Sequence, residues 1–254
     1  MLKNFFPIKL LLAPSETFAE IGSGRCGWGW PLGLYGAATA ASALLITSVS
    51  PDFLARASSD LRLSGGQSFA GALAAGLPGG LAFNAFFGAL LAAFAAFLAQ
   101  GRLMLRLPVP AAAVAGYAFF FILRLDLAAG GAAGWLAAGS ALAFAAWASL
   151  RDLAGFSALL KLLLALSVFA LISDLGCAVA ALADSPRAYK AVELVFSVLS
   201  LVWLVRGAAG LCGVPGAKAF AAALPALLGA AAFAFSLYTL GLLSTEVFEM
   251  LLLL

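Results

Sequence analysis

Histidine is missing from this chain, which removes every serine–histidine nucleophile pair and every imidazole metal ligand. No GxSxG or HExxH pattern is present either. Charge is scarce: Asp, Glu, Lys and Arg make up 10% of the 254 residues, against about 25% in an ordinary globular domain, too few to cover a soluble surface. Three cysteines, Cys26, Cys177 and Cys212, share neither metal-site nor redox spacing and read as buried thiols. The stretch GLCGVPGAK (210–218) ends in lysine but lacks the Walker spacing and the Ser or Thr that must follow, so it is no phosphate-binding loop. These absences lead to an expectation of no enzyme activity, no cofactor and no metal, and nothing in the composition calls for nucleic acid.

What is there is hydrocarbon. Hydrophobic residues are 65% of the chain, and there are charge-free runs at 26–51, 63–101, 127–150 and 219–245. Each is longer than the roughly 20 residues that cross about 30 Å of bilayer as a helix. Backbone polar groups in lipid must be satisfied within the segment, so the runs are helices; strands of a barrel would alternate in polarity, and these do not. The fold class that follows is all-α, a polytopic transmembrane helical bundle with spans near 31–50, 77–99, 109–127, 131–150, 158–180, 186–206 and 219–244. Seven spans is the expectation, with six or five as alternatives. The sixth is supported by Ser185 before Pro186, an N-cap with proline at the first helical position.

Lysine and arginine orient the threading. With the N-terminus in the cytoplasm, Lys3, Lys9, Arg25, Arg102, Arg106, Arg151, Lys161, Arg206 and Lys218 fall on the cytoplasmic side, nine of the 14 basic residues, as the positive-inside rule favours. Lys9 interrupts the apolar start and no small-x-small cleavage site follows, so the N-terminal segment reads as retained. The expected location is the inner, cytoplasmic membrane, multi-pass, with a cytoplasmic N-terminus and a periplasmic C-terminus. Loops are too short for a soluble domain. Residues 1–30 read as a cytoplasmic interfacial segment and 31–254 as one transmembrane domain. Pro78-Gly79-Gly80 breaks a long run, making Phe69–Leu77 either a kinked entry into the second span or a re-entrant piece.

Residues 11–20, LLAPSETFAE, place a capped polar turn ahead of the first span. Ser15 can accept from backbone N–H groups at the helix start, and Glu16 suits the positive end of the dipole. Phe18 and Ile21 share a side, giving a short amphipathic helix on the membrane surface, anchored by Lys3, Lys9, Trp28 and Trp30; the alternative is a plain lead-in to the first span. The sequence APSETFAEIGS…WGWPLGLYG, together with WLVRGAAGLCGVPGAKAF (203–220) and AVAGYAFFFIL (113–123), resembles bacterial Yip-domain proteins, relatives of the eukaryotic Ypt/Rab-interacting membrane proteins. The resemblance implies an integral membrane protein with a cytoplasmic N-terminus and no enzyme activity, working through partner contacts. It carries no site residues across. The family has fewer spans, and the excess here falls between 109 and 183.

That excess overlaps a possible duplication: FILRLDL (121–127) resembles FALISDL (169–175), and RDLAG (151–155) resembles RGAAG (206–210), which would make spans three–four and five–six a repeat of hairpins. Polar residues at membrane depth are functional candidates by default: Asn84, Arg124, Asp126 and Asp174. Arg124 and Asp126 are about 200° apart around a helix and cannot pair with each other. Arg124 with Asp174 is the attractive pair, read as a structural ion pair, a proton or substrate relay, or interface exposure. Arg151, Lys161, Arg206 and Lys218 are candidate cytoplasmic contacts for a partner or lipid. Gly207, Gly210, Gly213 and Gly216 suggest a tight cytoplasmic loop. Gly36-x3-Ala40, Gly76-x3-Gly80 and Gly130-x3-Gly134 permit close helix approach. The expected partners are the lipid bilayer, anionic head groups, and another membrane protein or a second copy. The functional expectation is a scaffold or accessory subunit, the alternative a small permease or transport-complex subunit.

Overall fold

Prolines and small polar side chains mark where helices begin. Pro14 cannot continue the preceding helix because it has no N–H, and its fixed φ suits a first turn; it separates α1 (Phe6–Leu12) from α2 (Pro14–Gly22). The same device, with a serine ahead of it, starts α4 (Pro51–Ala57) after α3 (Gly29–Ser48): Phe53 N–H donates to Ser50 Oγ at 3.3 Å. Ser68 receives Gly71 N–H at 3.1 Å where α5 (Phe69–Ala99) begins. A single turn, α6 (Leu103–Arg106), precedes α7 (Pro108–Ile122), then come α8 (Ala132–Arg151) and α9 (Leu153–Leu182). Asp152 caps α9 by accepting from Gly155 N–H at 3.0 Å. Ser185 accepts from Ala188 N–H at 3.4 Å ahead of α10 (Pro186–Cys212), the cap its sequence implies, and α11 (Gly216–Thr239) follows.

This computed structural model describes residues 6–57, 68–123, 131–244 and Phe248. Every regular element among them is an α-helix, and seven spans are long and apolar enough to cross a membrane. The chain is an all-α, polytopic integral membrane protein. α7 ends at Ile122, closed by Leu123 N–H on Phe119 O at 3.0 Å, and the expected continuation of the third span to 127 lies outside the described residues. Phe69–Leu77 belongs to α5, which runs through Pro78 as one helix, so it is no re-entrant piece.

Two more expectations are corrected locally. Ser15 is not the cap of α2: Ala13 holds that place with no side-chain hydrogen bond, and proline at the first position already dispenses with one N–H. The glycine-rich stretch is mostly helix, since α10 continues through Gly207 and Gly210 to Cys212. Only Gly213 turns, at φ +62°, with Val214 N–H reaching back to Ala209 O at 3.1 Å, a Schellman closure that needs a left-handed residue. The α9 terminus closes in the same way on a non-glycine residue, Asp184 at φ +46°, with Ser185 N–H on Ala180 O at 2.9 Å.

The described residues sort into two compact units: 6–57, 68–81 and 161–204 in the first, and 82–123, 131–160, 205–244 and Phe248 in the second. α5, α9 and α10 contribute to both. In the first unit the buried set Leu45, Phe53, Leu54, Ala57, Cys177, Ala180 and Tyr189 joins α3, α4, α9 and α10. Phe53 meets Tyr189 edge-on at 5.7 Å between centroids. Tyr35 donates its hydroxyl to Gly76 O and Leu77 O, at 2.9 and 2.7 Å, beside the proline that interrupts the α5 ladder.

In the second unit α11 presents Ala219, Ala222, Ala223, Ala226 and Ala230, all buried on one stripe. Small side chains let neighbouring backbones come close. Phe86 stacks on Phe233 at 4.1 Å, and Gly229 lies under Leu90 of α5 and Val114 of α7. Tyr117 shares a hydrogen bond with Ser236 at 2.8 Å. Close approach thus falls at Gly229, and in the first unit at Gly176 against Val192, whereas a Cβ at Gly36 would meet nothing within 4 Å.

Candidate functional site

A carboxylate in the first unit is hydrogen-bonded inside spanning helices. Ser42 of α3 donates its hydroxyl to Asp174 Oδ2 of α9 at 2.5 Å. Ala38, Ser42, Leu45 and Val49 recur at helical spacing and turn one stripe of α3 toward α9, which puts the serine opposite the aspartate. A carboxylate in apolar surroundings needs such a donor. Glu193 of α10 is close enough to Asp174 for their charges to act on each other, and Lys190 offsets it.

Beside Asp174 runs an open groove of about 380 Å³. Leu44, Leu45 and Val49 of α3, Phe53 of α4, and Leu175 and Ala178 of α9 supply apolar walls, and Asp174 is part of the lining. Asp184, at the helix end, lines the other extremity. Eight residues of α9, about 12 Å along the axis, separate Asp174 from the helix end at Leu182, and Asp184 lies just beyond it. Asp184 is paired with Arg56 (Oδ1 to Nη2, 2.7 Å), both more than half exposed, and the Arg56 guanidinium lies 5.7 Å from the centre of the Phe53 ring. Such an exposed pair adds little stability.

The opposite end of the same unit is basic and aromatic. Lys161 donates to Cys26 O at 2.8 Å and lies 5.1 Å from the centre of the Trp28 ring. Trp203 Nε1–H donates to Leu10 O at 3.2 Å, and Phe6 stacks on Trp30 at 6.3 Å. α2 is amphipathic, with Thr17, Phe18 and Ile21 buried and Ser15 and Glu16 exposed. Lys9 of α1 bonds Glu20 at 2.5 Å and pairs with Glu16 at 3.5 Å. The hydrogen bond that Lys9 donates to Glu20, foremost, holds the ammonium above its ordinary value. Burial pushes the Cys26 thiol up.

The residues singled out from sequence are divided between the first unit, the second unit and positions outside the described residues. Arg124 and Asp126 lie outside the described residues, and the pairing of Arg124 with Asp174 lies outside them too. Asn84 belongs to the second unit, half-buried and engaged in an interaction, while Asp174 belongs to the first. Lys161 is in the first unit; Arg151, Arg206 and Lys218 are in the second. The Arg151 guanidinium lies 5.5 Å from the Trp147 ring centre, Lys218 donates to Ala99 O at 3.1 Å, and Arg206 is engaged as well. Ser42 and Glu193 were not among the sequence candidates. A lone mid-span serine carries no signal of its partner, and Glu193, two turns into α10, reads as a head-group residue until its proximity to Asp174 is seen.

Among the described residues no three Cys, Asp or Glu side chains are grouped so as to hold a metal ion. No buried side-chain nitrogen or oxygen among them lacks a hydrogen-bond partner. No protein-family model matches this chain, and neither a curated protein nor a solved structure matches it. The Yip resemblance therefore rests on its three sequence stretches alone.

Proposed function

We propose that this integral membrane protein is a non-enzymatic scaffold or accessory subunit of the Yip type, resident in a bacterial inner membrane, that binds other membrane proteins or lipids. The observation that carries this reading is the light burial of two spans: 11% of the α6–α7 span and 17% of the α10 span are buried, against 50% for α11. On α10, Leu194, Val195, Val198 and Val202 form one exposed apolar face; on α7, Val109, Phe119 and Ile122 are exposed. Faces of this kind are available to a partner helix as well as to lipid tails. A cytoplasmic N-terminus follows from the Lys and Arg bias. The test is recovery of the tagged protein from native membranes in mild detergent after crosslinking from α10: a reproducible protein or lipid partner is expected, and recovery alone would remove the reading.

A second reading, a small permease or transport subunit, is favoured by one observation, the Ser42–Asp174 contact within spanning helices beside an open groove. Solute or ion flux in proteoliposomes that is unchanged by Asp174→Asn would eliminate it.

A further inference from the structure

We propose that the groove between α3, α4 and α9 is a binding site for a lipophilic amine, a single apolar body carrying one ammonium group, which docks on Asp174. Three features of the groove select this occupant. Its walls are almost entirely aliphatic and aromatic, and its volume of about 380 Å³ falls in the range of small-ligand sites, roughly 300–1,000 Å³. Its one carboxylate at membrane depth, Asp174, has Oδ2 occupied by the Ser42 hydroxyl, an arrangement that fixes the side chain and leaves acceptor capacity on a residue of the groove lining. Its mouth is already neutral, because Arg56 and Asp184 pair with each other. Charge complementarity therefore acts at the deep end only, where Glu193 adds to the negative field and Lys190 partly offsets it.

Depth also decides against a phospholipid as the source of the ammonium. The exposed Arg56–Asp184 ion pair marks the polar end of the groove, whereas Asp174 lies eight residues inside the end of α9, about 12 Å along the axis. A free amine whose apolar body occupies the groove reaches that depth without dragging a phosphate into hydrocarbon, which would be unfavourable. The inference is independent of the scaffold reading and of which membrane face the mouth opens to.

The experiment uses the full chain in phosphatidylcholine nanodiscs at neutral pH, with tritiated dodecylamine as the probe and empty nanodiscs subtracted. Saturable binding is expected, displaced by unlabelled dodecylamine and at least about tenfold less well by dodecanol, which has the same chain without the charge. Ala178→Phe, which fills the groove, should abolish binding, and Asp174→Asn should reduce dodecylamine to the level of the alcohol. Non-saturable uptake, equal competition by dodecanol, or unchanged binding to Ala178→Phe would each overturn the proposal. The comparison of amine with alcohol on the unaltered protein decides it even where Asp174→Asn fails to fold.

Discussion

Replacing Gly176 by alanine should loosen the contact between α9 and α10, and the size of the effect follows from the geometry. A Cβ at this position would lie 2.9 Å from Val192 Cγ1, with Cγ2 at 3.6 Å and Cβ at 3.8 Å. Carbon contacts become comfortable at about 3.5 Å, so the helices must part or Val192 must rotate by roughly 0.6 Å. Valine in a helix has essentially one side-chain rotamer and yields poorly. Overpacking of this kind costs about 1–3 kcal/mol, while alanine returns about 0.5–1 kcal/mol over glycine in a helix interior, for a net loss of roughly 0–2.5 kcal/mol. Gly36→Ala is the control, because a Cβ there meets nothing within 4 Å and only the gain remains. Thermal unfolding of the purified protein in detergent, followed by size-exclusion chromatography, should place the two variants several degrees apart, at about 2–4 °C per kcal/mol. Val192→Ala in the Gly176→Ala background should recover part of the loss, a coupling of at least about 0.5 kcal/mol. Gly176→Ala melting at or above Gly36→Ala would refute the reasoning.

Tyr35→Phe should destabilise by about 1–2 kcal/mol in the same assay, since the buried hydroxyl serves Gly76 O and Leu77 O beside Pro78; a melting temperature unchanged from wild type would remove that role. The Lys9 staple is pH-dependent in a defined direction. Its ammonium is held above the ordinary 10.5 by Glu20 first, so its contribution is complete below the unfolded value and disappears as pH rises through the folded one. Emission from a variant keeping Trp203 as its single tryptophan, which bonds Leu10 O of α1, should stay constant to about pH 10 and shift beyond it, with Lys9→Met flattening the change. Cysteines introduced at Ala183 and Ala217, both exposed, should be labelled by an impermeant maleimide from opposite faces of the membrane, Ala217 from the cytoplasmic side. Labelling of both from one face would break the seven-span threading.

Length and apolarity made the spans legible, because a bilayer imposes one thickness on every crossing. Ser185-Pro186 marked the start of α10 correctly, since a cap is a local device written in adjacent residues. The ends were harder. α10 runs to Cys212 because glycine is tolerated within a helix and only Gly213 adopts the left-handed turn, a distinction that a count of glycines does not make. The site was legible only in its aspartate. Asp174 stands out as a charge in hydrocarbon, but Ser42 is 132 positions away in sequence, and nothing local to either residue encodes that they meet. Of the glycines in pairs at four-residue spacing, Gly36 faces open space, while tight approaches fall at Gly176 and Gly229, which belong to none of the expected pairs.

The basic residues near the helix ends have a further consequence. Lys218 on Ala99 O, Arg106 on Phe97 O at 2.7 Å, and Lys161 on Cys26 O are each bonded to main-chain carbonyls. At Ala99 and Phe97 the acceptors are the last turns of α5, where the helix carries roughly half a negative charge. A cation seated there presents outward only the remainder, so counting such residues as full positive charges overstates the pull on anionic lipid. Enrichment of anionic lipid around this protein should therefore depend less steeply on ionic strength than its tally of lysines and arginines implies.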